Sequence, residues 1–263
     1  MSKPRLCVVK IGGAVIDDEP ALHRFVHHFA STPNAKILVH GGGRMATTVA
    51  EGMGITQQLV NGRRITDAHT LKVVTMVYAG LINKQLVALL QGCGCNALGL
   101  TGADGNVIRS KKREAADINY GFAGDVQWVN GELLAQLLMQ GTTPVLCPIT
   151  HDGGGQLLNT NADTIAAEVA KALAITYRVQ LVYCFEQPGV LLNRHDPQSV
   201  IREITPHTFT ALKTSGVVAQ GMLPKLENAI TAISNGVENV VIGSAQELPH
   251  LLNDKAGTAI VHG

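Results

Sequence analysis

Two glycine turns in this chain each follow a short apolar run, and a lysine precedes the first. Lys10-Ile11-Gly12-Gly13 closes the run Leu6-Cys7-Val8-Val9, and His40-Gly41-Gly42-Gly43 closes Ile37-Leu38-Val39. Bare glycine N–H groups beside a fixed positive charge make an anion cradle, and phosphate is the expected anion. Three later segments add matching chemistry. Asn159-Thr160-Asn161-Ala162-Asp163 opens a helical pattern with two amides and a carboxylate. Glu186-Gln187-Pro188-Gly189-Val190-Leu191 follows a strand-like run, where nucleotide-binding turns lie. Gly221-Met222-Leu223-Pro224-Lys225 places a second lysine at a helix start. The set points to phosphoryl transfer, in which positioning and charge stabilisation carry the catalysis.

Each residue also has an ordinary structural use. Lys10 alone could reach solvent from a strand end, and Asp163 could be a first-turn acid stabilising a helix dipole. Lys225 could be a surface lysine, the glycines tight strand–helix turns, and Arg63-Arg64 a solvated basic turn. His40 reads as a packed strand-end histidine without a catalytic role.

The elements that position these residues alternate. Apolar runs at 6–11, 37–40, 97–100, 143–149, 178–185, 237–242 and 258–261 read as strands. Helical periods fall at 19–30 after an Asp17-Asp18 cap, 46–53, 66–91 with Thr66 as cap and Gly92 as stop, 130–140, 161–174, 205–214 and 223–235. The polar stretch 106–127, with Lys111-Lys112-Arg113 and the turn Gly121-Phe122-Ala123-Gly124-Asp125, reads as hairpins or an excursion over the sheet. Strands alternating with helices predict an α/β fold: a three-layer αβα sandwich with an open, mainly parallel central sheet.

Composition narrows the function classes. The 263 residues carry a net charge of +1 and 16% charged residues, so no general pull toward nucleic acid or anionic membrane is expected. The five cysteines and the absence of an export signal suggest a reducing cytoplasm. Cys93-Gly-Cys95 has no partner pair to complete a metal site, and no protein metal site is expected. Gly41-x-Gly43-x-x-Ala46 matches a dinucleotide fingerprint literally, but the acidic residue required about 20 positions on is replaced by Gln57-Gln58 to Arg63-Arg64. A Walker A loop is absent, because the sequence contains no Gly-Lys pair.

The segments Val9-Lys10-Ile11-Gly12-Gly13, His40-Gly41-Gly42-Gly43, Asn61-Gly62-Arg63-Arg64-Ile65-Thr66, Asn159 to Asp163, Pro188-Gly189-Val190-Leu191 and Gly221 to Lys225 occur in the order found in the amino acid kinase family, which the chain resembles over nearly its whole length. Their joint occurrence in that order reverses the ordinary readings above. The resemblance implies ATP-dependent phosphorylation of the γ-carboxylate of N-acetyl-L-glutamate in arginine biosynthesis. N-succinyl-L-glutamate, a sister kinase reaction or a non-catalytic nucleotide sensor are the alternatives. It further implies that Lys10 and Lys225 hold the transferring phosphoryl group, that Asp163 orients them, and that Gly12, Gly13 and Gly43 donate N–H groups to phosphate oxygens. Gly42, Gly43, Arg64 and Asn159 would fix the acylated amino acid, with Arg64 clamping its α-carboxylate. Glu186, Gln187, Pro188, Gly189, Val190 and Leu191, with Val217, Val218, Ala219 and Gly221, would line the ATP side. Mg²⁺ would be held mainly by the nucleotide phosphates.

The division implied is an acyl-amino-acid lobe at 1–175 and an ATP lobe at 176–263 within one continuous domain. The nucleophile is a carboxylate with an unperturbed pKa near ~4.3, already ionised at neutral pH, so no general base is required. Two departures stand out: Glu186 replaces the family's usual Asp, and Gln187 a usual apolar residue. Arginine-inhibited members carry an added N-terminal helix before the first strand, and its absence here suggests a homodimer without arginine feedback.

Overall fold

Parity along the first strand decides which way the chemistry faces. In the structure, a computed structural model that describes residues 3–60, 63–193, 195–214 and 222–262, the chain enters on β1 (Arg5–Ile11). It turns through α1 (Gly13–Ile16) into α2 (Glu19–Ala30) and returns as β2 (Ala35–His40). Next come α3 (Met45–Gly52) and a hairpin of β3 (Leu59–Val60) and β4 (Arg63–Arg64). A long helical run begins as α4 (Ala68–Val74), passes through a π-helical stretch (Thr75–Ile82) and ends as α5 (Asn83–Gly92). β5 (Ala97–Leu100), β6 (Ile108–Lys112), β7 (Ala123–Val129), α6 (Gly131–Met139) and β8 (Thr143–Leu146) follow, then β9 (Ile149–His151) and β10 (Leu157–Thr160). The remainder runs α7 (Ala162–Leu173), β11 (Arg178–Phe185), β12 (Glu203–Ile204), α8 (Pro206–Thr214), α9 (Leu223–Ser234), β13 (Asn239–Ser244), α10 (Leu248–Leu251) and β14 (Thr258–Ile260).

The main sheet has eight strands in the order β12-β14-β13-β11-β1-β2-β8-β5. Its β13–β14 pair is antiparallel and its other ladders are parallel, which is the mainly parallel open sheet expected. On β1, Leu6 and Val8 face the layer of α7 and α9, while Cys7, Val9 and Ile11 face that of α2 and the long α4–α5 run. Strand periodicity therefore sends Lys10 to the side of Leu6 and Val8. The strand order reverses between β1 and β11, so a crevice opens at their carboxyl ends, where ligands of doubly wound sheets bind. The sheet also runs unbroken across position 175/176, because β11 pairs with β1 from Arg5↔Arg178 to Ile11↔Cys184.

Three local readings differ from the sequence expectation. The strand expected at 143–149 breaks after Leu146. Pro148 has no N–H for a central ladder, and Ile149 restarts in a second sheet. Together β10, β7, β6 and β9 close a small four-stranded barrel over the sheet, so the excursion at 106–127 supplies one hairpin and later residues supply the rest. Asp67, rather than Thr66, caps the long helix, accepting the Thr70 N–H at 2.7 Å. Thr66 instead bridges to Gly121, two residues before β7. That helix is long and apolar enough to cross a membrane by length and composition alone, but it buries Val73, Val74, Ile82, Leu86 and Leu90 in the core.

Candidate active site

Asn161 starts the site by ending a strand and opening a helix. Its side chain accepts the N–H groups of Asp163 and Thr164 at 2.8 and 3.0 Å, which fixes the first turn of α7 and aims Asp163 back along the sheet. Lys10 arrives from β1, and its Nζ lies 2.7 Å from Asp163 Oδ1. Lys225, in the first turn of α9, binds Asp163 Oδ2 from the other side. A lysine in a helix's first turn opposes the helix dipole, so Lys225 stands where local stability alone would not place it. Tyr183, the register partner of Lys10 on β11, donates its hydroxyl to the Asp163 main-chain carbonyl at 3.0 Å and completes the frame.

One carboxylate thus holds two ammoniums, and the trio carries a net positive charge at the mouth of two helix N-termini. Burial would raise the Asp163 pKa, but Lys10 and Lys225 hold it well below the usual carboxylate range. For Lys10, burial lowers the pKa and Lys225 adds to that, while Asp163 opposes it. An incoming anion is what this excess charge favours.

The glycine turns meet beside this trio. A Cβ built on Gly13 would lie 2.1 Å from Gly43 Cα, so the two turns touch backbone to backbone and only glycine fits. Asp17 pins the contact: its N–H donates to Gly13 O at 2.8 Å and its carboxylate accepts the Arg44 N–H at 3.1 Å. Among the described residues, no protein acceptor takes the N–H of Gly13, Gly42 or Gly43. Gly12 differs from expectation. Its N–H donates to Cys184 O at 3.3 Å and stitches β1 to β11 across the crevice instead of turning toward a ligand.

A cavity of about 210 Å³ opens from these turns, lined by Lys10, Gly42, Arg64, Tyr78, Asn159 and Asp163 among others. That volume is below the range of about 300–1,000 Å³ usual for drug-sized ligands and suits a small metabolite. Arg64 anchors one nitrogen on Gln57 and another on Thr47 Oγ1 at 2.9 Å, which leaves further donors of its fork for a ligand. Asn159, on β10, donates its Nδ2 to Thr66 Oγ1 at 3.0 Å and retains its carbonyl oxygen. Tyr78 closes the floor: a Cβ on Gly42 would lie 1.6 Å from its ring. Burial raises the Tyr78 pKa, against the neighbouring Arg64.

The predicted residues therefore divide. Lys10, Asp163, Gly42, Arg64 and Asn159 share one cavity, Lys225 joins through Asp163, and Gly13 and Gly43 flank it. The segment 186–191 does not line that cavity. Glu186 and Gln187 are exposed at the carboxyl end of β11, and the buried Val190 gives its N–H to Thr258 Oγ1 at 2.8 Å. Val217, Val218, Ala219 and Gly221 lie outside the described residues. Sequence reasoning missed Tyr78, Asp17, Gln57 and Thr47. Tyr78 is hidden in a long apolar period, Asp17 reads only as part of a helix cap, and Gln57 and Thr47 carry no periodic or motif signal.

Comparison with known proteins places this geometry in a family. The amino acid kinase family profile matches residues 5–244. The chain is 54% identical over 258 residues to the acetylglutamate kinase of Phocaeicola vulgatus, covering 98% of this chain and 99% of that one. It is 53% identical over 260 residues to the acetylglutamate kinase of Cytophaga hutchinsonii, covering 98% of each. Its fold matches carbamate kinase from Giardia lamblia bound to AMP-PNP with a TM-score of 0.69 at 16% identity, over 100% of both chains. With a lysine–aspartate–lysine trio beside two touching glycine turns, and relatives matched from end to end, the chain belongs to the amino acid kinase family.

Proposed function

We propose that the chain transfers the γ-phosphoryl group of ATP to the γ-carboxylate of N-acetyl-L-glutamate, giving N-acetyl-L-glutamyl 5-phosphate and ADP in arginine biosynthesis. The observation that carries this reading is the Asp163 carboxylate, which lines a metabolite-sized cavity together with Lys10, gripping both Lys10 and Lys225. The near full-length identity to two acetylglutamate kinases supports the substrate.

Arg64 takes the substrate's α-carboxylate and Asn159 its acylated amino group, so the γ-carboxylate points at the glycine turns. Gly42 and Gly43 steady it there. The chemical problem is the approach of one anion to another, and the two lysines with the Gly13 and Gly43 amides reduce that repulsion as negative charge spreads over the equatorial oxygens. Asp163, the carboxylate lining the cavity, is engaged by both lysines, which leaves Mg²⁺ to the nucleotide's own phosphates. When bound there, Mg²⁺ supplies further charge neutralisation.

The nucleotide side is formed by residues 186–191 with Val217, Val218, Ala219 and Gly221, so ATP lies toward 176–263 and the acylated amino acid toward 1–175. A homodimer in the cytoplasm completes the reading. Exposed Met53, Met76, Leu81 and Leu98 are apolar surface that a second subunit would cover.

The test measures ADP release with ATP and Mg²⁺ against N-acetyl-L-glutamate, N-succinyl-L-glutamate, free glutamate and aspartate, with hydroxylamine trapping the acyl phosphate. Turnover on N-acetyl-L-glutamate is expected. Turnover only on the succinylated compound would correct the acyl group, and silence on both would reject the reaction. Light scattering reads the subunit number, and a monomer at assay concentration would reject the dimer.

A further inference from the structure

His40 and Asn83 are buried polar residues that the transfer chemistry leaves unused, and together they fix the peptide that carries the Gly42 N–H. His40 ends β2 and is 0% exposed, and Asn83 is 1% exposed. The imidazole Nδ1 lies 2.8 Å from the Gly41 carbonyl oxygen, and Nε2 lies 3.1 Å from Asn83 Nδ2. A carbonyl only accepts, so Nδ1 carries the ring proton and Nε2 accepts from Asn83. The Asn83 amide is fixed independently. Its Nδ2 donates to Val145 O at 3.0 Å, and its Oδ1 accepts from Lys84 Nζ at 3.1 Å. Flipping that amide would set donor against donor and acceptor against acceptor. Burial lowers the His40 pKa to about 4 against the Gly41 bond, so the ring is neutral at physiological pH.

The consequence falls on the next peptide. The bond between Gly41 and Gly42 is trans and planar, so the Gly41 carbonyl and the Gly42 N–H point in opposite directions. On its other side Gly41 is held as well, its N–H donating to Ile11 O at 3.0 Å. With the carbonyl drawn onto a buried imidazole, the Gly42 N–H turns away from the core and toward the cavity that Gly41 and Gly42 line. The opposite flank of Gly42 is closed by the Tyr78 ring. Tyr78 lies in the π-helical stretch and Asn83 directly after it, so one irregular segment supports the turn from both sides.

We propose that His40 is a positioning residue for the transfer. Through its Nδ1–H bond to the Gly41 carbonyl, in the tautomer selected by Asn83, it aims the Gly42 amide at the reacting oxygens. The inference rests on the kinase reading above.

The first test needs no activity. Nitrogen-15 NMR of the wild type at neutral pH should show Nδ1 of His40 protonated and Nε2 bare, and the opposite tautomer would overturn the proposal. The second compares His40→Leu, which removes the donor, with His40→Asn, whose amide nitrogen can occupy the Nδ1 position, alongside their unfolding temperatures. Folded His40→Leu should lose about 100-fold in kcat, the size of one lost oxyanion donor, with KM for ATP within about threefold, and His40→Asn should recover to within about fivefold of wild type. Wild-type kcat in folded His40→Leu would overturn it. Should the wild type turn over no acylated glutamate, the substrate reading fails and the geometry is still tested. The Gly42 amide resonance should shift on titration with ATP and Mg²⁺ in the wild type but not in His40→Leu, and equal shifts in both would overturn the inference.

Discussion

Replacing Asp163 with Asn probes the two-lysine anchor while conserving shape. One carboxylate oxygen becomes an NH₂ that points at an ammonium, and the charge holding Lys10 and Lys225 together disappears. At 2.7 Å and an effective dielectric constant of about 20, the Lys10–Asp163 attraction alone is about 6 kcal/mol before desolvation is counted. Because the side chains of Lys10, Asp163 and Lys225 are only 10%, 11% and 22% exposed, little solvent can replace the lost partner. Breaking such a buried pair from one side costs about 3–5 kcal/mol. At about 2–4 °C per kcal/mol for a chain of this size, the unfolding temperature should fall by about 10 °C. Turnover should suffer separately. Two displaced ammoniums no longer meet the developing charge, so kcat should fall by about 10²–10³-fold. KM for the acylated amino acid should hardly move, since Arg64 and Asn159 keep their own anchors on Gln57, Thr47 and Thr66.

The same variant carries a pH signature. Asp163's folded pKa lies below its unfolded value of about 3.9, so the stabilisation from its ion pairs is complete above that pH and is lost as pH falls from there toward the folded value. Urea unfolding at pH 7, 4 and 3 should show a steeper acid loss in the wild type than in Asp163→Asn. An Asp163→Asn protein with wild-type kcat and an unchanged unfolding temperature would refute the anchor outright.

Three further outcomes follow from the same geometry. Arg64→Lys loses the planar fork that joins Gln57 and Thr47 and, in the proposed function, the ligand, so initial rates should give KM for the acylated amino acid raised about 10-fold or more at nearly constant kcat. A large drop in kcat with KM intact would contradict the clamp. Gly42→Ala drives a methyl group into the Tyr78 ring, 1.6 Å from its nearest atom, and should lower stability by about 1–3 kcal/mol in urea unfolding. An unchanged midpoint would show the ring free to withdraw. Of the five cysteines, Cys93 is exposed and the others are buried. Burial pushes Cys7 up to about 11 and Cys147 and Cys184 to about 12, so a thiol reagent should count one fast group in the native protein and five after denaturation.

The fold was legible because it rests on local rules, whereas the charged trio was legible only through the order of its motifs, since each member alone has an ordinary structural reading. Short continuous apolar runs marked β1 and β11, and Asn161 ahead of Asp163 announced a helix start that the structure builds as a side-chain cap. Less legible were features set by distant partners. The Gly12 amide looked like a ligand donor until β11 brought Cys184 O beside it. Thr66 reads as a cap in the sequence, but its bridge to the distant Gly121, two residues before β7, takes it out of that role and leaves Asp67 to cap the helix. His40 read correctly as a packed histidine, but packing alone gave no hint of the peptide it orients. The π-helical geometry at 75–82 leaves no trace in the sequence, because Thr75-Met76-Val77-Tyr78-Ala79-Gly80-Leu81-Ile82 is apolar nearly all round and offers no one-sided period for a wider turn to put out of phase.

The run from Asn159 to Asp163 has a mechanical meaning as well as a chemical one. Asn159 is held on the barrel by Thr66 and Asp163 on the sheet by Lys10, and the chain between them ends one strand and begins one helix with no loop. Those two groups are separated by a ruler of covalent bonds, at most about 14 Å at full extension. Losing one residue from it would force either the strand off its ladder or the helix off its cap. The gap between the two groups that the proposed function gives to metabolite and phosphate is therefore written into chain length, which makes this stretch intolerant of insertion or deletion even where single side chains can be exchanged.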